Sequence, residues 1–219
     1  MSSRKIIAGL FFVAMAIGCA SSPSEDPAPP ARGPESAAAA AIRTLRHVTE
    51  NQRRAAQDTT PSASHLDGAS LGDGVPVRRV RLDALRAYRT TDDPRALLVD
   101  HGAFLYPITV GDEVRSSVVM VQRQGRWVPS SFGRVGLARA LHANRQQLDA
   151  RHAKAVVLVE VPALQARFMG HEGDDGLHLT PLQDVEGTPL RAGKSEKAAV
   201  VMAALVPLAA RIDDSAPPR

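Results

Sequence analysis

The stretch 104–120, FLYPITVGDEVRSSVVM, decides the fold class. Phe104, Tyr106, Ile108 and Val110 fall on one face of an extended segment, because strand side chains alternate with a period of two. Gly111-Asp112 then supplies the turn chemistry of a tight hairpin. Val114, Ser116, Val118 and Met120 alternate along the returning strand, and Gln124-Gly125 turns the chain again ahead of Trp127. The pattern predicts an antiparallel meander. Pro107 has no N–H to give to a ladder, which predicts an edge strand or a bulge at that point.

Outward from the meander the periodicity changes. The spacing of Leu137, Leu141 and Leu148 predicts a helix over 136–152, and a shorter turn of helix over 83–88 follows a β-like piece at Arg78. The apolar run 155–161, stopped by Pro162, reads as a buried strand. Segments 164–169 and 177–179 read as a hairpin around a glycine-rich loop. Ser195 is placed to cap a last helix over 196–212, which Pro207 kinks or ends early. Strands and helices are grouped rather than strictly alternating, so the fold class is α+β, an antiparallel meander packed with helices. The globular domain is assigned to 75–212 and a short tail to 213–219. Before it come a linker over 58–74, with Pro61 and several glycines, and a helix over 36–57 capped by Ser36. That helix has a thin apolar stripe of Ile42, Leu45 and Val48, which predicts weak docking. No internal repeat is visible.

Composition narrows the class further. The chain has 219 residues, 44% of them hydrophobic and 4% aromatic, with 27 basic and 23 acidic side chains and a single cysteine. The hydrophobic fraction supports a packed core and excludes a wholly disordered chain. One cysteine excludes an internal disulfide and any multi-cysteine zinc cage.

The cysteine is placed with some economy. Arg4 and Lys5 form a positive n-region, and Ile6 to Gly18 is an uncharged, mostly apolar run of 13 residues. Crossing a bilayer takes roughly 20 such residues, so the run fits the h-region of a signal peptide over 1–18 rather than a membrane span. Ala16-Ile17-Gly18-Cys19 follows, and here the first 19 residues resemble a bacterial lipoprotein signal with its lipobox. The resemblance implies cleavage before Cys19, diacylglycerol on the Cys19 thiol and acylation of the new amino terminus. Ala20, rather than Asp, after the cysteine implies the outer membrane of a two-membrane cell. Two or more acyl chains anchor stably, since each buried methylene contributes about 0.8 kcal/mol. Residues 20–34 hold five prolines among Ser, Ala, Glu and Asp. Such a segment buries too little apolar surface to fold, so 19–35 is expected to be an extended, disordered tether. Removal of residues 1–18 takes Arg4 and Lys5 with it and lowers the formal charge from +4 to +2. That balance, with so few aromatic side chains, argues against a nucleic-acid partner.

The motifs that could carry chemistry are weak. Gly193-Lys194-Ser195 suggests a phosphate loop, but Gly187 lies one position too far upstream and Pro189 removes a backbone donor. It reads as a loop glycine before a helix cap. His171-Glu172-Gly173-Asp174-Asp175-Gly176-Leu177-His178 is the densest cluster of potential ligands. Its histidines are seven apart, matching neither the helical zinc spacing nor a calcium loop, so no metal is assigned. Ser116, Ser117, Ser130 and Ser131 could meet His101 or His142 in space, and Asp100-His101 could be a base with its orienting group. No Gly-x-Ser-x-Gly elbow accompanies them. Arg78, Arg79, Arg81, Arg86 and Arg89 form a basic run that reads as a solvated face beside Asp83, Asp92 and Asp93.

These readings predict a membrane-anchored envelope lipoprotein with a non-catalytic binding or accessory domain. Lipid attachment falls on Cys19, with no catalytic residue and no cofactor. Its expected partners are the membrane, through the anchor, and an envelope protein or cell-wall component. The alternative is an envelope hydrolase or metal-binding protein whose residues meet only in three dimensions.

Overall fold

The computed structural model describes residues 33–56, 68–149, 152 and 155–212. Cys19, the signal segment, the tether up to residue 32, most of the linker and the C-terminal tail lie outside the described residues, while the last two residues assigned to the tether, Pro34 and Glu35, belong to a helix. The elements run α1 (Pro34–Ala56), β1 (Ser70–Leu71), β2 (Val75–Arg79), α2 (Leu82–Ala87), β3 (Val99–Val110), β4 (Glu113–Arg123), β5 (Arg126–Phe132), α3 (Val135–Gln146), β6 (Val157–Val161), β7 (Ala166–Gly173), β8 (Gly176–Pro181), β9 (Glu196–Lys197) and α4 (Ala198–Ala209). The strands join one sheet in the order β5-β4-β3-β2-β6-β7-β8-β9, with β1 paired to β3. This is an α+β architecture.

The predicted meander is β3-β4-β5, with Tyr106 opposite Val118 and Phe104 opposite Met120. The sheet is nevertheless mixed. β2 pairs with β6 in parallel, with Val77 beside Leu158, and that pair joins two antiparallel halves. Both faces are covered, so Leu105 is as buried as Ile108 and the alternation of β3 is apolar on both sides. α3 packs on Leu105, Leu158 and Met169. The opposite face meets α1 at Tyr106, Ile108, Val118 and Met120, and meets α2 and α4 at Val159, Phe168 and Leu179. Phe168 is fully buried there, and enclosing such a side chain contributes about 1.5–3 kcal/mol.

Several local expectations change. β3 is an interior strand, although it carries Pro107. The backbone N and O of one strand residue point to the same side, and the Pro107 carbonyl accepts from the Gly72 amide at 2.9 Å. The missing N–H therefore faces the gap between β1 and β2, where it breaks no ladder. A bulge follows it in the pairing with β4, between Ile108 and Thr109. The segment read as linker contributes β1 and the buried Ala69, so the folded unit begins before Val75. Gly74 lets the chain pass over Tyr106, since a Cβ there would lie 2.4 Å from the ring. α1 starts at Pro34, ahead of Ser36, and the Ser36 hydroxyl instead donates to the Gly33 carbonyl. α1 docks through Ala37, Ala38 and Ile42, so alanines widen the thin stripe. α3 ends at Gln146, short of Leu148. Ser195 caps nothing: the residue before α4 is Lys197, and Pro207 is accommodated in the last turn.

Candidate functional site

Two polar clusters lie on the α3 face, on either side of Met169. Along β7, Arg167, Met169 and His171 point to that face, because they are two residues apart.

The first cluster includes a sequence candidate. His171 and His178 belong to paired strands rather than to a loop, and they are direct cross-strand partners. Only Asp174-Asp175 forms the turn. The two imidazoles stack with centroids 5.6 Å apart, and His152, beyond the end of α3, lies 5.9 Å from His171. Aspartates hold the outer two rings: Asp149 contacts His152 Nδ1 at 2.9 Å, and Asp175 contacts His178 Nε2 at 2.6 Å. Lys197 Nζ also reaches Asp175, at 2.8 Å. Hydrogen bonding to Lys197 first, and to His178 second, draws the Asp175 carboxyl down to about 2. His171 is buried, and its Nδ1 has no hydrogen-bond partner. Burial first, then the neighbouring His178 and His152, hold its pKa below the usual histidine value. Stacked rings direct their in-plane lone pairs alongside one another instead of toward a shared point. Among the described residues no three His, Cys, Asp or Glu groups are arranged to hold a metal ion.

The second cluster was not legible in the sequence. Arg79 is beside Glu160 in the parallel β2–β6 pair, and Glu160 is opposite Arg167 in β6–β7. Arg134, from the β5–α3 connection, completes the group. The Glu160 side chain is 10% exposed, with Arg134 Nη1 at 3.2 Å, Arg79 Nε at 3.5 Å and Arg167 Nε at 3.7 Å from its carboxylate oxygens. They border a cavity of about 270 Å³, completed by Pro162, Gln165 and Ala166.

Arg134 is set in place against local preference. It is the residue before the first turn of α3, with φ 53° and ψ 36°, and its side chain makes no cap. A left-handed non-glycine residue costs on the order of 1–3 kcal/mol. A cation at a helix N-terminus opposes the helix dipole by about another 0.3–1 kcal/mol. The neighbouring Gly133 is clamped by buried Ser117, whose backbone carbonyl accepts from the Gly133 amide at 3.0 Å and whose hydroxyl donates to the Gly133 carbonyl. The clamp fixes the turn that presents Arg134.

No family model, curated protein or solved structure matches this chain.

The other sequence candidates are not brought together. Ser117 serves the Gly133 clamp. His101 is exposed, while Asp100 accepts from the Gly102 amide at 2.8 Å and pairs with Arg78. The Gly102 amide and Arg78 hold the Asp100 carboxyl below its ordinary value. His142 contacts Gln146 at 2.9 Å. Gly193-Lys194-Ser195 is an exposed turn ahead of β9, with the Gly193 amide donating to the Pro181 carbonyl. The basic run is divided among separate partners. Arg78 goes to Asp100, Arg79 to Glu160, Arg81 to Asp83, and Arg86 donates from Nε to the Ala209 carbonyl at 3.0 Å. Only the periodicity of β6 hinted at Glu160, as a lone acid within an apolar strand.

Proposed function

We propose that the chain is a cell-envelope lipoprotein, anchored through Cys19 in the outer membrane, whose α+β domain is a non-catalytic binding or accessory module. The observation that carries the reading is the single cysteine, placed behind Ala16-Ile17-Gly18 and ahead of a proline-rich spacer. Among the described residues no helix is long and apolar enough to cross a membrane. The binding role is supported by the use of Ser117, Asp100 and His142 in structural bonds, and by a cavity with preset charged walls on the α3 face.

The test is metabolic labelling with a radioactive fatty acid. The wild-type chain should take up label and fractionate with the outer membrane, whereas Cys19→Ala should lose both. Labelling retained in the variant would reject the anchor.

A further inference from the structure

The cavity beside Glu160 holds more positive charge than its acid requires. One guanidinium in a two-point contact suffices to neutralise a carboxylate. Here three share it, and Glu160 is the only acid among the cavity's described lining residues, leaving a formal charge of +2. The nearest contacts engage one nitrogen of each guanidinium, at 3.2, 3.5 and 3.7 Å, whereas each guanidinium carries five N–H donors. Like charges held around one acid repel. The space between them is open rather than filled by an apolar side chain. Arg134, moreover, reaches the cavity through a left-handed backbone at a helix N-terminus, a placement that opposes stability.

We propose that this cavity is a subsite for a phosphoryl dianion, a phosphomonoester or inorganic phosphate. The charge matches, since a phosphomonoester carries about −1.5 to −2 at neutral pH. The donors match as well, because planar guanidinium forks fit phosphate oxygens. Arg79 and Arg167 stand on adjacent-but-one strands of the sheet, and the Ser117–Gly133 clamp holds the turn at Arg134, so the backbone positions of all three are fixed around the cavity. Glu160 aligns them and limits the affinity, which keeps binding reversible. A monocarboxylate would leave half of the excess charge unmet. The phosphoryl group could belong to a dissolved phosphate or to a lipid headgroup of the envelope. Phosphoryl binding here rests on the domain being the binding module proposed above and supplies its ligand chemistry. Binding in solution does not depend on Cys19, so its failure is distinguishable from failure of the anchor.

The test follows the arginine Nε–H resonances of the full-length protein in zwitterionic detergent micelles. It is titrated separately with inorganic phosphate, soluble dihexanoyl phosphatidic acid and acetate. Phosphate should shift the resonances of Arg79, Arg134 and Arg167 saturably, and acetate should bind at least about tenfold more weakly. Calorimetry should show affinity reduced about tenfold or more in Arg134→Gln and Arg167→Gln, and increased in Glu160→Gln. Tighter binding of phosphatidic acid than of phosphate would identify a headgroup, and equal binding a free phosphate. No shift with either phosphoryl ligand in the wild-type protein, or acetate binding as tightly as phosphate, would overturn the proposal. The resonances are read on the unmodified sequence, so a variant that fails to fold does not weaken the test.

Discussion

Replacing Glu160 by Gln isolates the energetics of the arginine cluster. The substitution keeps the shape and removes the charge that three guanidiniums share at 3.2, 3.5 and 3.7 Å. Two unit charges about 4 Å apart attract by roughly 4 kcal/mol at the effective dielectric of a protein surface. That gross figure overstates the loss. The arginine side chains are 35–48% exposed, so solvent screens each pair toward the 0–1 kcal/mol of surface ion pairs. Removing the charge also relieves the desolvation of a carboxylate that is 10% exposed. The Gln amide, however, turns N–H donors toward cations, and the three arginines then face one another uncompensated. Taken together, Glu160→Gln should destabilise the domain by about 2 kcal/mol at low ionic strength, lowering Tm by roughly 4–8 °C. The penalty should fall by more than half in 1 M salt, where the screening length shrinks to about 3 Å. Urea denaturation of both proteins at low and high salt measures it. A variant within about 0.5 kcal/mol of wild type at low salt, or a penalty that salt leaves unchanged, would refute the reasoning.

Two further expectations concern the rest of the domain. His171 is held below its unfolded pKa by burial and by His178 and His152, so the unfolded chain binds its proton more readily. The stability that its neutral form contributes is complete above pH about 6.5 and is lost as pH falls from there through the lowered folded value. His171→Leu should flatten that part of the urea-midpoint profile between pH 7.5 and 5, and an unchanged slope would assign it to other groups. Ile42 is 4% exposed under α1, and emptying such a site costs about 2–5 kcal/mol when the surroundings cannot follow. Because α1 pairs with no strand and meets the sheet through side chains, Ile42→Ala should accelerate amide exchange in α1 while β3 and β4 stay protected. Equal acceleration in all three would show that α1 belongs to the same cooperative unit as the sheet.

Local pattern and long-range register account for different parts of this protein. The meander was readable because its hairpins close over two-residue turns, so alternation and turn chemistry lie within a few residues of each other. The helices over 34–56, 82–87 and 198–209 were readable to within a turn, whereas the one over 135–146 stops six residues before the expected end at 152. The proposed anchor at Cys19 rests on sequence alone, because a processing signal is a linear pattern. For Pro107 the sequence left an edge strand and a bulge open; the strand is interior with a bulge after Ile108, and only the path of Gly72–Gly74 beside it shows where the missing N–H falls.

The two polar clusters belonged to tertiary structure. His171 and His178 gained His152 only when the segment after α3 came down beside β7. Glu160 met Arg79 through a parallel pair whose strands are separated by a whole meander and two helices, and met Arg134 through a turn pinned by Ser117. No periodicity of two or 3.6 residues encodes such meetings. They follow from sheet register, which is set by the burial of both faces together and by the way the core under α3 brings Val77, Leu158 and Met169 into line.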